Sequence, residues 1–397
     1  MPTGRSRVAI IFFTVLIDLV GFGIVIPILP YYAQTLGAGG FGLGALFGVY
    51  SLMQFFGTSL LGRLSDRVGR RPVLLATMLI NAAGYVLLAF AGTYPLLFLA
   101  RAVSGFAGGN ISVAQAYMAD ISTPAERSRA MGTIGAAFGI GFVVGPAIGG
   151  FAGSLVLAGS IAAALSIANF ASAYAILEES LRAEHRSERS GLGLDNIVRG
   201  LRDRRLRPLL LVWLIIPFAW AGYQVAMSLY PARVYGWQAR QLGYFFSVVG
   251  LTMAVVQGRL FGVLARRFGD RALVVAGTLG IALGFALPPF MGSSLQLYAS
   301  GVLLAFSQSL VSPAATGLVS IYAAPSEQGA ILGAAQALGA LGRFAGPEIL
   351  GKLFDARGAR TAFLAAGGVM LLAWLASLAL ERQPRGRQGV AGASPIA

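Results

Sequence analysis

The sequence predicts an all-α polytopic membrane protein in which twelve transmembrane helices form two pseudo-symmetric six-helix bundles, and three observations carry that prediction. First, 56% of the 397 residues are hydrophobic and only 11% are charged, with a mean hydropathy of +0.74; a water-soluble chain of this size has no interior able to hide so much apolar surface. Second, the basic residues between the apolar runs are one-sided: with both termini inside, 22 of the 30 fall in inner loops and tails, 5 in outer loops and 3 within spans. Short loops rich in Arg and Lys stay on the cytoplasmic side, so this bias fixes orientation and span count together. Third, the chain repeats. Gly62-Arg63-Leu64-Ser65-Asp66-Arg67-Val68-Gly69-Arg70-Arg71 is echoed by Gly262-Val263-Leu264-Ala265-Arg266-Arg267-Phe268-Gly269-Asp270-Arg271 at an offset of 200. Pro124, Glu126, Gly132, Gly145 and Pro146 recur as Pro325, Glu327, Gly333, Gly346 and Pro347 at an offset of 201. Two parallel halves follow, with a binding cavity expected between them near the midplane.

Taken in order, the spans fall at 8–33, 43–61, 73–92, 95–119, 131–153, 156–177, 208–232, 243–262, 272–291, 295–320, 329–353 and 361–380, each near the ~20 apolar residues that cross a bilayer. The first follows a short basic stretch, Met1 to Arg7, and is too long for a signal-peptide core. It contains Asp18 and has no small-residue cleavage site before Pro27 and Pro30, so it is expected to be retained. Residues 1–177 form the N-terminal bundle, 178–207 a cytoplasmic linker, 208–381 the C-terminal bundle and 382–397 a disordered tail. Within the linker Leu194, Ile197, Val198 and Leu201 recur at helical spacing behind Asp195, a potential N-cap. That pattern suits a basic amphipathic helix on the inner leaflet; a plain solvated linker is the alternative.

Composition also excludes function classes. The net charge of +15 is spread through short loops instead of being gathered on one exposed face, so nucleic acid is not the expected partner. There is no cysteine, and the single histidine, His185, lies in the linker. Thiolate metal sites, disulfides and most nucleophile chemistry are therefore absent, and neither a metal, a cofactor nor an enzyme activity is expected. The expected partners are a small-molecule substrate, protons and the lipid bilayer, with the chain acting as a monomer.

The few ionisable groups inside spans then stand out. Asp18 lies ten residues past Val8, roughly 15 Å along a helix and near the middle of a ~30 Å core. A carboxyl group there costs on the order of 2.5–3.5 kcal/mol on insertion scales, so it is expected to face a wet interior and carry a proton. The alternative is a structural Asp hydrogen-bonded to a neighbouring helix. Arg101 in the fourth span needs an acid or a carbonyl to meet it, with Asp18 the available carboxylate in that half. Glu348 and Arg343 in the eleventh span are either a second titratable site or an ion pair that packs. Gln54, Asn110, Gln115, Tyr223, Gln224, Gln308 and Gln336, beside Phe138, are the candidates for lining a substrate cavity, although each alone is also a common interhelical hydrogen bond or packing residue.

The stretch Gly62 to Pro72 connects spans two and three. Gly62 and Gly69 permit a chain reversal, Pro72 suits the start of the next helix, and Asp66 is the lone acid among four arginines. G-x-L-S-D-R-x-G-R-R resembles the loop between helices two and three of the major facilitator superfamily. That resemblance implies a gate, with Asp66, Arg67 and Arg70 locking the outward-facing state. Gly62, Gly69 and Arg71 belong to the same motif, and Asp120, Glu126 and Arg127 close the fourth span and its loop, where they are expected to form an ion network with it.

Further motifs narrow the resemblance to tetracycline-type drug/proton antiporters. Leu16-Ile17-Asp18-Leu19-Val20-Gly21-Phe22-Gly23 followed by Ile26-Pro27-Ile28-Leu29-Pro30 resembles their first helix. Tyr50-Ser51-Leu52-Met53-Gln54, Ala119-Asp120, Gly236-Trp237 and Gln328-Gly329-Ala330 add to it. Arg101 with Gly105 fits the R-x-x-x-G pattern that the superfamily associates with proton transfer. Gly141, Gly145, Pro146 and Gly149 fit the fifth-helix motif associated with exporters that exchange substrate against protons, although close helix packing alone also explains such glycines. The second half departs from the pattern: Met253 stands where those exporters carry a histidine in helix eight, Ala272 to Met291 holds no acid, and Glu348 lies in helix eleven instead. The departures argue against tetracycline itself. The resemblance implies a secondary transporter in the inner membrane of a bacterium, both termini cytoplasmic, that exports an amphipathic small molecule in exchange for protons; a proton-coupled importer of a sugar or metabolite is the alternative.

Overall fold

The computed structural model describes residues 4–122, 127–181, 194–322 and 328–381, and every regular element among them is helical. Hydrocarbon offers backbone groups no partner, so apolar segments of this length satisfy their N–H and C=O groups within the helix. The N-terminal half contains α1 (Gly4–Val25), α2 (Leu29–Thr35), α3 (Gly40–Val68), α4 (Arg70–Ala89), α5 (Tyr94–Ala107), α6 (Asn110–Asp120), α7 (Arg127–Ala152) and α8 (Leu155–Ile176). After α9 (Leu194–Arg202) the second half contains α10 (Leu206–Tyr235), α11 (Ala239–Val255), α12 (Phe261–Phe268), α13 (Asp270–Ala286), α14 (Ser294–Tyr322) and α15 (Gln328–Leu378).

Among the described residues, ten helical runs are long and apolar enough to cross a membrane. α5 and α6 make one of these, bent at Gly108-Gly109; α11 and α12 make another, joined through a wide turn at Val256–Leu260. The 17-residue α13 falls just short of that length, and α15 is two helices meeting at Gly358, whose φ of 82° is open to glycine and strained for other residues. With α13 added and α15 divided, twelve apolar segments result.

Two expectations about local structure change. The connection after the second span is shorter than Gly62 to Pro72: α3 continues through Asp66 and Arg67 to Val68, and Gly69 alone, at φ 111°, turns the chain into α4. Gly62 is an ordinary helical residue. In the linker, α9 forms as expected, but Ile197 and Leu201 pack on the main hydrophobic core, not on lipid, while Val198 remains exposed. The side chain of Asp195 lies outside the described residues, as do Pro124, Glu126, His185, Pro325 and Glu327.

The halves repeat in three dimensions. Arg71 donates from Nε to the Leu177 carbonyl at 2.6 Å and from Nη2 to the Tyr174 carbonyl at 2.9 Å; Arg271 donates likewise to the Leu380 carbonyl at 2.6 Å and the Leu378 carbonyl at 3.0 Å. Gly69 and Gly269 both have positive φ and both donate back to the carbonyl four residues earlier.

Between the halves, α3 lies on α15 and α7 lies on α11, both through small residues. Gly40, Gly44 and Gly48, one face of α3, meet Gly351, Pro347 and Phe344 of α15. On the other seam a Cβ at Gly243 would come 2.6 Å from the Pro146 carbonyl, and one at Gly250 2.7 Å from that of Phe142. The spacing then widens toward the arginine-rich end: a Cβ at Gly139 finds only Ala254, at 4.0 Å, and one at Gly135 or Gly258 finds nothing within 4 Å. The halves are thus joined at the outer end and parted at the inner end, an inward-facing arrangement.

Candidate functional site

Asp18 is buried in the middle of α1, and its surroundings come from two other helices of the same half. Asn81 of α4 donates from Nδ2 to Oδ1 at 3.0 Å, and Asn110 at the start of α6 donates from Nδ2 to Oδ2 at 2.6 Å. Both carboxylate oxygens are therefore held by neutral amides. The Oδ1 atoms of Asn81 and Asn110 are themselves buried without a hydrogen-bond partner, so each amide keeps an acceptor in reserve that a protonated carboxyl group could use after a half-turn of the side chain.

Arg101 does not pair with Asp18. Its guanidinium, with the residue only 2% exposed, donates to the Leu46 carbonyl at 3.3 Å and lies over the rings of Tyr50 at 4.3 Å and Phe22 at 5.8 Å. Of the two partners anticipated for it, the carbonyl is the one present, and π faces provide the remaining compensation. Phe22 sits one turn beyond Asp18, and its ring centroid is 4.9 Å from that of Tyr50, so an aromatic pair stands between acid and guanidinium. Tyr50 is also within electrostatic reach of Arg343 from the opposite half. Among the described residues no carboxylate pairs with Arg101 or with Arg343. Glu348 lies instead on the α3/α15 seam, 3.4 Å from where a Cβ of Gly48 would stand and within electrostatic reach of Tyr94. The packed Arg343 to Glu348 pair is therefore not formed.

The remaining cavity candidates divide. Gln54, one turn past Tyr50, donates weakly to the Gly108 carbonyl at 3.4 Å. Tyr223 is buried against Phe285 at 4.6 Å and Phe363 at 5.6 Å with its hydroxyl unpartnered. Phe138 packs on the N-terminal core. Gln308 and Gln224 are half-buried, while Gln115 and Gln336 are exposed. Gly141, Gly145 and Gly149 of α7 face α1 around Leu19, Val20, Gly23 and Ile24, and Pro146 touches Gly23 from the same face while its carbonyl meets α11.

At the inner end Arg70 is the hub. Its Nη1 meets Asp66 at 2.6 Å and Ser65 Oγ at 2.6 Å, and its Nε meets Asp120 Oδ2 at 3.2 Å, which also accepts from Ser180 Oγ at 3.0 Å. Glu179 then caps α4 from across the turn, accepting from the backbone N–H of Arg70 at 2.8 Å and of Arg71 at 3.2 Å. The positive end of a helix favours a carboxylate there. A Cβ at Gly69 would collide with that carboxylate, which gives the glycine a second reason beyond its φ. Asp120 thus joins the network as expected, whereas Glu126 and the side chain of Arg127 lie outside the described residues. All the contacts named here lie within the N-terminal half.

The outer end has its own carboxylate. Asp355 of α15 accepts from the backbone N–H of Gly40 at 2.7 Å and of Phe41 at 2.8 Å, capping the free end of α3 from the other half. Asn81, Glu179 and Asp355 were not anticipated from the sequence. Asn81 is the one amide side chain in its apolar run, a signal that was available; the other two read as ordinary loop acids.

The comparisons agree with this geometry. The family model described as Major Facilitator Superfamily matches residues 11–261 and 259–395. The tetracycline resistance protein, class C, of Escherichia coli is 31% identical, over 89% of this chain and 90% of that protein. Major facilitator superfamily domain-containing protein 10 of Mus musculus is 28% identical, over 94% and 93%. Among solved structures, the human organic anion transporter MFSD10 (TETRAN) superposes with a TM-score of 0.72 at 28% identity, covering 95% of this chain and all of that one. A peptide transporter, POT, in complex with sulfate reaches a TM-score of 0.78 at 17% identity over 96% and 94%, a likeness of fold alone. With its model matched along nearly the whole length and a relative above 30% identity, the chain belongs to the major facilitator superfamily.

Proposed function

We propose that this transporter exports an amphipathic small molecule in exchange for protons, with Asp18 as the proton carrier. The observation that carries the reading is the environment of Asp18: a carboxyl group in mid-membrane whose two oxygens are held by neutral amides, with no cation paired to it. A bound cation would fix it ionised, whereas Asn81 and Asn110 can serve either protonation state. Gain and loss of a proton there changes the charge beside the Phe22 and Tyr50 pair, and through it the field at Arg101.

Arg101 and Arg343, one from each half and both near Tyr50, favour a substrate that bears an acidic group beside its apolar body. The printed names of the relatives are consistent with this: one is a tetracycline resistance protein and another an organic anion transporter. Alternation would close the inner end around the Arg70 hub while the outer seams of α3 with α15 and α7 with α11 part, returning the binding centre to the outside. The protein would act as a monomer in the cytoplasmic membrane of a bacterium, with both termini inside.

The test is growth of an export-deficient bacterium expressing the chain against a panel of toxic amphipathic acids, followed by flux of each protective compound in proteoliposomes under an imposed pH gradient. Export driven by external acidity supports the reading. Accumulation of the compound with protons, in the same direction, would replace it with the importer.

A further inference from the structure

We propose that a small cavity between α10 and α14 in the C-terminal half is a substrate subsite that takes a group carrying a hydrogen-bond acceptor and a donor together, such as a primary carboxamide or a phenolic hydroxyl; this rests on the reading of the chain as a small-molecule transporter. The cavity has a volume of about 60 Å³ and is walled by Trp213, Ile216 and Pro217 of α10 and by Gln308, Val311 and Ser312 of α14. Two of these side chains end in polar atoms that are buried and have no partner: Nε1 of Trp213 and Oε1 of Gln308.

The two orphans are of opposite sense. An indole nitrogen can only donate, and a carboxamide oxygen can only accept. Buried polar atoms in folded proteins are normally satisfied, and each exception calls for a ligand, a water or an ion. A donor and an acceptor left open on the wall of one cavity match a single occupant with the complementary pair. Dry cavities, by contrast, are lined by apolar groups. At roughly 30 Å³ per water the space holds one small polar group or about two waters, far less than a whole drug-sized molecule. It is therefore a subsite for one end of a substrate.

Its setting is where the repeat would put it. Shifted by 200 residues, α10 and α14 correspond to α1 and to α5 with α6, the helices that bring Asp18 and Asn110 together in the other half. Pro217 has no N–H to offer the Trp213 carbonyl one turn earlier, which breaks the helix bonding beside the cavity. Across from it, a Cβ at Gly339 would stand 3.4 Å from that carbonyl, 3.5 Å from Pro217 and 3.5 Å from Nη1 of Arg343. One substrate can thus present its neutral polar end to Trp213 and Gln308 and an acidic group to Arg343. Ser312, exposed at the rim, marks the open side.

Equilibrium dialysis of radiolabelled salicylamide against the purified full chain in detergent tests the assignment, with N,N-dimethylbenzamide, which accepts but does not donate, as the second probe. Saturable salicylamide binding is expected, weakened tenfold or more by Trp213→Phe and by Gln308→Met and restored by Gln308→Glu, which keeps an acceptor. N,N-dimethylbenzamide is expected to weaken with Trp213→Phe and to be indifferent to Gln308→Met. Binding that is absent from the wild type, or that is the same in all variants, assigns the cavity to water and overturns the proposal. If Trp213→Phe does not fold, the Gln308 pair and the two probes decide alone. Binding as described without any proton-linked flux would refute the export reading and leave the subsite standing.

Discussion

Replacing Asp355 is expected to loosen the outer end and shift the chain toward its outward-facing form. In the inward-facing structure the Asp355 carboxylate on α15 supplies the cap that α3 lacks from its own sequence, since Gly39 has no side chain to do so. Ala at a capping position costs about 0.5–2 kcal/mol, typically ~1. Asp355 is exposed, so water competes and the lower part of that range applies. The donors belong to one half and the acceptor to the other, so the contact exists only while the outer seam is closed. The whole cost therefore falls on the inward-to-outward equilibrium, and ~1 kcal/mol is about a fivefold change in it. The chain contains no cysteine, so spin labels at Thr35→Cys and Arg357→Cys report on the outer seam without background. Pulsed electron–electron resonance is expected to show the longer-distance population rising about fivefold in Asp355→Ala and less in Asp355→Asn, which retains one acceptor. An unchanged distance distribution in Asp355→Ala would refute the reasoning, because the only carboxylate found capping α3 would then contribute nothing to closure.

Three other outcomes follow from the same geometry. Gly69→Ala places a Cβ against Glu179 at a φ of 111°, a strain of about 1–3 kcal/mol, and is expected to lower the melting temperature in detergent. Gly62→Ala, in open helical space with Ser112 Oγ as its nearest contact at 3.7 Å, is expected to leave it unchanged. Arg70→Lys keeps the charge but cannot reach Asp66, Ser65 and Asp120 together. The loss of charge-assisted bonds worth about 1.5–3 kcal/mol each is expected to reduce transport by tenfold or more while the elution profile in detergent stays that of the wild type. Gly44→Val drives side-chain atoms into the Pro347 carbonyl, so the α3/α15 seam cannot close, and the same spin-label pair is expected to report an opened outer end.

What the sequence made legible is what repeats or what is apolar. The offset of 200 residues anticipated that Arg71 and Arg271 occupy equivalent turns, and both do, down to the pair of carbonyls each one reaches. It could not name those carbonyls, because backbone acceptors carry no residue signature. Gly62 and Gly69 looked alike in the motif, yet only Gly69 breaks the helix; the difference lies in Glu179, more than a hundred residues away in sequence. Asp18 was visible as a carboxyl group out of place, but its amide partners sit on two other helices, and nothing in local spacing separates Asn81 from a packing residue. The expected meeting of Arg101 with Asp18 assumed that a buried cation needs an acid. Two aromatic rings and one carbonyl provide the alternative, and Tyr50 and Phe22 had been read only as parts of motifs. Cross-half contacts such as Asp355 on α3 belong to one conformation of the transporter, so no single-chain pattern announces them.

The central claim is that Asp18 carries the proton, and substrate-induced proton movement measures it most directly. Wild-type chain and Asp18→Asn are reconstituted with a pH-sensitive dye in the lumen, and a compound that the growth panel identifies as exported is added. The wild type is expected to move protons opposite to the compound; Asp18→Asn is expected to move none while still exchanging labelled for unlabelled compound, which shows that its binding centre is intact. Proton movement of wild-type size in Asp18→Asn would contradict the account.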